Sequence, residues 1–347
     1  MVILTSNISS EVSAYLSAHR YDRIFMLTDT NTKERCLPLL YDVFNDHDIQ
    51  VIAIEAGDFH KNIHQVNAIW TILSQGGASR HSLLINVGGG MVTDLGGFAA
   101  ACFKRGIHIL HIPTTLMASV DAAVGGKTGI NYNGLKNEIG AFYPPDCVMI
   151  DCRFLKTLDR ENLLSGYAEM LKHGLISDAR SFYDILDFDI EHPDFEKLNE
   201  LVGVSVAIKE RFVKADFKEK GQRKALNMGH TVGHAFESLS FSRNRPILHG
   251  QAVAGGMICE LYLSHKVCDL PVERLRQVTN FVKAYYTPFT FNCNDYETIY
   301  ELMTHDKKNK GGHIRFALLG NIGDVRIDRT VDKALILESF DFYRENT

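Results

Sequence analysis

SLLINVGGGMVTDLGGFAAACFKRGIHILHIPTTLMASVDAAVGGKTGINYNGLKNEIG, residues 82–140, decides how this chain is read. An apolar run, residues 82–87, leads straight into Gly88, Gly89 and Gly90. Glycines carry no Cβ, so backbone N–H groups can approach a phosphate, and a following helix N-terminus adds positive dipole. Polar anchors come next: Asp94, Thr114, Thr115, Asp121, Lys127, Lys136 and Asn137, with a second glycine pair at Gly96 and Gly97. Three glycines after a strand are often only a flexible turn, and the spacing is not G-x-G-x-x-G. It is the density of glycine, lysine and carboxylate that predicts a dinucleotide site beside a second phosphorylated ligand.

Outward from this stretch, short apolar runs recur at residues 23–27, 50–54 and 107–112, each followed by turn residues. Amphipathic segments, such as 33–44 and 63–74, lie between them. This rhythm predicts a mostly parallel, Rossmann-like sheet covered by helices, with ligands at the carboxyl ends of its strands. Asp29 and Asn31, in the TDTN turn after the run 23–27, and Gly88 to Gly90, after the run 82–87, fall at such ends. An acid at the position of Asp29 suits a ribose, and equally an Asx turn or helix cap.

From Arg160 to about Tyr286 the apolar spacing becomes helical: Leu163, Tyr167, Met170 and Leu171, then Leu201, Val204, Ile208 and Phe212. A strand-like piece follows at 314–319. The boundary is expected within 151–158, giving an α/β domain over 1–152 and a mostly α-helical domain over 153–347.

The 347 residues, 45% hydrophobic and 23% charged, are ordinary for a globular enzyme, and the net charge of −5 argues against nucleic acid as a partner. No apolar run approaches the ~18–20 residues of a membrane span. The N-terminus, MVILTSNISSEVSAYL, lacks the features of a signal peptide. Seven scattered cysteines without a Cys-x-x-Cys fit reduced thiols in a cytoplasmic protein.

Among the histidines, His230 and His234 stand four apart, the spacing of an H-x-x-x-H metal pair on one helix face. His249 follows in a Leu-His-Gly turn, and Glu169 lies on a separate helical segment. A carboxylate with imidazoles suits zinc with positions open for substrate. Spacing alone nominates His230 and His234 together.

The ordered set GGG, Asp94, PTTL (113–116), Asp121, GGKTG (125–129) and KN (136–137) resembles the 3-dehydroquinate synthase family of sugar phosphate cyclases. The likeness continues through GYAEMLKHG (166–174), EKGQRKALNMGHTVGHAFE (219–237), LHGQAV (248–253) and HDKKNKGG (305–312), and so covers nearly the whole chain. It implies the dehydroquinate synthase-like fold, NAD, and one divalent metal, Zn or Co. The resemblance assigns the metal to Glu169, His230 and His249 and leaves His234 beside it. NAD would take Asp29, Asn31, Asp58, Lys61, Gly88, Gly89, Gly90, Asp94, Thr114 and Thr115, with Asp121, Lys127 and Lys136 shared with the substrate. Asp58 stands where the family usually has Glu, one methylene longer.

The substrate so implied is 3-deoxy-D-arabino-heptulosonate 7-phosphate, a carboxylate and phosphate held by many cations and amides. Lys127, Lys136, Asn137, Lys172, Lys209, Arg223, Asn227, Lys307 and Lys308 match family positions, with Asp121, Glu219 and His234. DKKNK also reads as a solvated charge run. Arg223 and Asn227, four apart, are expected on one helix face, where the planar Arg fork suits a carboxylate. Arg105 would reach the phosphate of a neighbouring subunit, which implies a homodimer. Related cyclases make valiolone-type or inosose-type rings and replace residues on the carboxylate side; Lys209, Arg223 and Asn227 together favour the dehydroquinate ring. Departures are Ala122 and Ala123, where serines are common, and Gln251, where Glu is common. The implied activity is a phosphate-eliminating lyase step of the shikimate pathway: transient oxidation by NAD, phosphate loss, reduction and intramolecular aldol closure. The rivals are a metal-dependent alcohol or glycerol dehydrogenase of the same fold, and a non-catalytic nucleotide sensor.

Overall fold

The structure is a computed structural model that describes residues 1–133, 135–304 and 313–347, with the backbone alone at Leu135. Packing divides the chain into two units. One comprises Met1–Asp159 with Asp194–Val206; the other comprises Arg160–Pro193 with Ala207–Thr347.

In the first unit the strands are β1 (Val2–Leu4), β2 (Ile24–Asp29), β3 (Ile49–Ile54), β4 (Leu83–Gly88), β5 (His108–Pro113), β6 (Lys127–Tyr132), β7 (Leu135–Phe142) and β8 (Cys147–Ile150). Six of them form one parallel sheet in the order β1-β8-β5-β4-β2-β3. The register pairs Met26 with Ile85 and Ile85 with Leu110, so apolar side chains alternate between two cores. Met26, Ile85, Leu110 and Met149 face one core, and Phe25, Leu27, Leu84 and Ile109 the other. A strand buried on both faces reads as one continuous apolar run, which is why 82–87 shows no polar alternation.

The helices of this unit are α1 (Ile8–Ala18), α2 (Thr30–Arg35), α3 (Tyr41–Asp46), α4 (Ile63–Gln75) and α5 (Gly90–Cys102). The segment expected as one amphipathic helix over 33–44 is broken into α2, a 3₁₀ turn Leu37–Leu40 and α3. Pro38 sits in the first turn of that 3₁₀ piece, where its missing N–H costs nothing but α2 cannot run through it. Gly96 and Gly97 serve packing: a Cβ on Gly96 would strike Asn86 and Leu27, and one on Gly97 would strike Thr128. β6 and β7 form a separate antiparallel ribbon, with Lys127 opposite Phe142.

The second unit is mostly helical, with α6 (Arg160–Ser177), α7 (Ala179–Leu186), α8 (Phe195–Ala215), α9 (His230–Ser242), α10 (His249–Cys268), α11 (Val272–Tyr285), α12 (Tyr296–Thr304) and α13 (Lys333–Asn346). An antiparallel pair, β9 (Phe316–Asn321) and β10 (Asp324–Arg329), completes it. The first half of α8 belongs to the first unit, beyond the 1–152 expected for the α/β domain. Contacts account for this: Gly203 lies against Leu4, and the Lys156 ammonium sits over the Phe195 ring. From Leu163 to Ile176 every residue of α6 is buried, including Glu169, Lys172 and His173. Three polar side chains in a helix interior to the unit mark a site, because burying them costs free energy unless they find partners.

Candidate functional site

In the first unit the candidate residues gather at the carboxyl ends of the strands. Gly88 ends β4, Gly89 is the N-cap of α5, and Gly90 begins the helix. A Cβ on Gly89 would come 2.9 Å from Thr115 Cγ2, so a side chain there would force Thr115 to shift. Gly89 offers no side-chain cap, which leaves the first-turn N–H groups of α5 suited to an anion. Thr114 donates its backbone N–H to the Gly88 carbonyl at 3.0 Å, and Thr115 Oγ1 accepts from the Ala118 N–H at 3.1 Å. Asp121 lies in a single π-helical turn, Ala118–Ala122, an irregularity often found at functional sites. Gly126, with φ +67°, turns the chain into Lys127. A side chain there would press on the Pro144 backbone.

A polar cluster joins the GDFHK turn to α5 and the ribbon. Lys61, buried, donates to Asp94 Oδ2 at 2.6 Å and to Asn137 Oδ1 at 2.5 Å. Asn137 donates its backbone N–H to Asn131 Oδ1 at 3.0 Å, and Asn131 Nδ2 donates to the Asp58 carbonyl at 3.0 Å. Lys136 Nζ lies 3.2 Å from Asp58 Oδ2. Lys61, Asp58, Asp94, Lys136 and Asn137 are thus one network. Asp29 caps α2, with Oδ1 accepting from the Thr32 N–H at 2.8 Å, the alternative the sequence left open; Asn31 is exposed on α2. Arg105 is exposed in the left-handed region at φ +67°, after Lys104 at φ +50°.

In the second unit three nitrogen and oxygen atoms converge. Glu169 Oε1 lies 3.5 Å from His230 Nε2 and 3.6 Å from His249 Nε2. That oxygen is buried and has no hydrogen-bond partner, while Oε2 accepts from Lys172, one turn along α6. The other ring nitrogens are held: His230 Nδ1 is 3.1 Å from the Met228 carbonyl, and His249 Nδ1 is 3.4 Å from Glu237 Oε2. A carboxylate or carbonyl behind each ligating imidazole sets its tautomer and aims Nε2. His234, one turn along α9, has its ring centroid 5.3 Å from that of His230 and 5.8 Å from that of His249.

Electrostatics follow the same geometry. Burial pushes the Glu169 carboxyl up, but the Lys172 ammonium first, with His249 beside it, outweighs burial and holds it well below 4.5. Burial, reinforced by Lys172, holds His230 well below 6.5 and therefore neutral. Desolvation pushes His249 down, but the Glu169 and Glu237 carboxylates outweigh it and raise it to about 10. A proton on His249 and a divalent cation compete for the same carboxylate-rich place. An unbonded buried carboxylate oxygen facing two imidazoles fits a zinc-type ligand set with open positions.

Cationic candidates of the substrate set belong to the same unit. Lys172, Lys209 and Arg223 are all buried, an unusual state for cations, and Lys172 meets Glu169 there. Arg223 Nη1 donates to the Phe217 carbonyl at 2.6 Å. The Arg223–Asn227 face expected from an α-helix is corrected: residues Gln222–Asn227 form a 3₁₀ helix, in which positions three apart align and positions four apart diverge. Asn227 instead donates to Glu219 Oε1 at 2.6 Å, and Glu219 has a left-handed φ of +55°. The loop is organised by Asp216, which accepts from the N–H groups of Lys220, Gly221 and Arg223. Lys307 and Lys308 lie outside the described residues.

Three acids went unnoticed in the sequence: Asp216, Glu237 and Glu260. For Glu260 a signal existed, an isolated carboxylate in the apolar run AGGMICELYL. Charged groups are almost never fully buried unless paired, so such an acid announces partners.

Comparison with known proteins adds the family. The family model described as 3-dehydroquinate synthase N-terminal matches residues 51–165, and its C-terminal counterpart matches residues 166–309. A 3-dehydroquinate synthase of Parabacteroides distasonis is 61% identical over 345 residues, 99% of this chain and 98% of its own length. One from Clostridium tetani is 35% identical over 324 residues, 92% of this chain and 85% of its own. Among solved structures, the 2-epi-5-epi-valiolone synthase of Streptomyces hygroscopicus with NAD⁺ and Zn²⁺ bound has a TM-score of 0.89 at 24% identity, covering 100% and 97% of the two chains. A glycerol dehydrogenase of Schizosaccharomyces pombe has a TM-score of 0.69 at 14% identity, covering 99% and 89%. The solved structures share the fold across several chemistries, whereas the sequence likeness runs nearly end to end within one, and by it the chain belongs to the 3-dehydroquinate synthase family.

Proposed function

We propose that the chain is a 3-dehydroquinate synthase that converts 3-deoxy-D-arabino-heptulosonate 7-phosphate to 3-dehydroquinate and inorganic phosphate, with NAD and one divalent metal. The observation that carries this reading is the unbonded Glu169 Oε1 facing His230 and His249, in the same unit as the buried cations Lys172, Lys209 and Arg223. An alcohol dehydrogenase needs the first feature but has no use for the second. A nucleotide sensor needs neither.

Glu169, His230 and His249 would hold the metal, and bound metal supplies Lewis-acid polarisation of substrate hydroxyls. NAD, when bound, would supply reversible hydride acceptance; the glycine cradle and α5 N-terminus would hold its pyrophosphate, and the Lys61 network, Asp29, Asn31, Thr114, Thr115 and Asp121 would make its remaining contacts. Arg223 receives the substrate carboxylate with its planar fork, and Lys209 adds charge. Lys172 keeps Glu169 ionised and ready to ligate. Glu219 orients the Asn227 amide, and His234 meets the substrate beside the metal. Lys127, Lys136 and Asn137 serve the phosphate side. Arg105, exposed on its strained turn, suits delivery to a neighbouring protomer, so the working form would be a homodimer. No helix among the described residues is long and apolar enough to cross a membrane, and the reduced thiols fit work in the cytoplasm.

The test is to supply the heptulosonate phosphate with Co²⁺ and a trace of NAD, then identify both products by mass and phosphate assay. Equimolar phosphate and dehydroquinate are expected. A valiolone-type or inosose-type ring, or no phosphate, would overturn the reading. In the same assay Arg223→Lys keeps the charge but loses the fork, and should lower kcat/KM roughly ten- to a hundredfold, about 1.4–2.7 kcal/mol. NAD affinity should hardly change; an equal loss of NAD binding would place Arg223 in the cofactor site or the fold.

A further inference from the structure

One buried carboxylate, in neither the ligand set nor the charged substrate set, receives three backbone N–H groups at the start of α9. Glu260, fully buried on α10, accepts from Gly229 at 2.7 Å through Oε2. Its Oε1 accepts from Thr231 at 2.9 Å and Val232 at 3.1 Å. These donors flank His230. The first N–H groups of a helix lack intrahelical partners, and a negative charge there also meets the positive end of the dipole. Ordinarily the N-cap side chain answers them. Here the N-cap is Gly229, in the left-handed region at φ +80°, with no side chain to offer.

Gly229 is required by how closely the two helices approach. A Cβ there would meet Met257 Cγ at 2.6 Å and the Val253 carbonyl at 3.0 Å. Gly256 makes room for the Gly229 carbonyl, and Gly233 lies against the backbone of Ala252 and Val253. The contact leaves no space for a local cap, so the cap comes from the partner helix. α10 begins with His249, and Glu260 follows eleven residues later, about three turns along the same face. One helix therefore carries one imidazole of the site and the clamp on the helix that carries the other. His230 Nε2 lies 3.5 Å from Glu169 Oε1, and a small rotation of the first turn of α9 would swing it away.

We propose that Glu260 is a positioning residue for His230: it fixes the first turn of α9 on α10, so that His230 Nε2 is held in register with Glu169 and His249 before any metal binds. The proposal rests on reading Glu169, His230 and His249 as the ligand set. A mere stabilising cap would affect folding without affecting the geometry of the metal site.

The test is Glu260→Gln, isosteric but uncharged and with one acceptor oxygen, in metal-free protein titrated with Co²⁺ and followed by visible absorption. Affinity for Co²⁺ should fall roughly 10–100-fold, the usual cost of removing a residue that orients a ligand, and the d–d band should change shape. A lower melting temperature with wild-type Co²⁺ affinity and spectrum would overturn the proposal and leave Glu260 a structural cap. Should the variant not fold, amide hydrogen exchange in the metal-free wild type decides. Slow exchange at Gly229, Thr231 and Val232 is expected; protection that appears only with Co²⁺ would show that the metal organises this turn, contrary to the proposal. His249→Ala in the same titration isolates the underlying reading: if it binds Co²⁺ like the wild type, the ligand set itself is wrong, and the proposal falls with it.

Discussion

His249→Ala should empty the metal centre, while His234→Ala should leave it filled. Spacing within α9 and mutual proximity both favour an all-histidine set, since ligand atoms of His230, His234 and His249 lie within 4.8 Å of one another. The decisive feature is Glu169. Its Oε1 is buried, lacks a hydrogen-bond partner and faces Nε2 of both His230 and His249. A buried carboxylate oxygen left so exposed to two imidazoles costs free energy that a cation recovers. His249 is also held from behind by Glu237. On the proposed assignment, removing His249 would take away a ligand outright, so its effect should exceed the roughly 10–100-fold loss that follows from disturbing a supporting residue. Metal analysis after dialysis against Zn²⁺ reads the outcome. A filled His249→Ala site with an empty His234→Ala site would reverse the assignment.

The second large effect concerns stability. Lys172→Met should destabilise the metal-free protein by about 3–5 kcal/mol, because it leaves the Glu169 carboxylate buried without its ammonium partner. Both side chains are almost completely buried, so water does not screen the loss. The sign with pH follows from the depressed Glu169 carboxyl. In the wild type its contribution is present above the unfolded value near 4.5 and disappears only as pH falls through the lower folded value. In Lys172→Met that contribution is largely gone at neutral pH, so the variant and the wild type should converge in strong acid. Added Zn²⁺ should narrow the gap, since a cation on Oε1 replaces part of the missing charge. Melting curves across pH, with and without Zn²⁺, check this. A neutral-pH difference below about 1 kcal/mol would show that Glu169 is not ionised in the folded protein.

Much of the architecture was legible in residues 82–90, where an apolar run meets glycines, and in the alternation of strand and helix signals that flanks it. The central strands could be read because burial on both faces makes them mostly apolar, with Asn86 in β4 and His111 in β5 as buried exceptions. β1, only Val2–Leu4, was not, since three residues carry no period. The 3₁₀ helix at Gln222–Asn227 defeated a reading that assumes 3.6 residues per turn, and with it the pairing of Arg223 with Asn227. The turn into the β6–β7 ribbon runs through Gly125 and Gly126 at positive φ, a backbone property that composition does not specify. In the metal centre, spacing could bring His230 and His234 to one face but could not bring Glu169 from α6 or His249 from α10. The resemblance named those residues; the structure brings their atoms together. Glu260 lay in plain view as a lone acid among apolar residues, but its partners are backbone groups, which no side-chain pattern reveals.

The central claim is that NAD is regenerated within each turnover. In the proposed reading, Lys209 and Arg223 would take a carboxylate, and Lys127, Lys136 and Asn137 a leaving phosphate, that a simple alcohol oxidation would not need. The direct measurement follows NADH absorbance and released phosphate in one cuvette, with the heptulosonate phosphate well above NAD and Co²⁺ present. Phosphate in many-fold excess over the NAD supplied is expected, against a flat NADH trace. NADH formed one-for-one with consumed substrate, without phosphate, would contradict it.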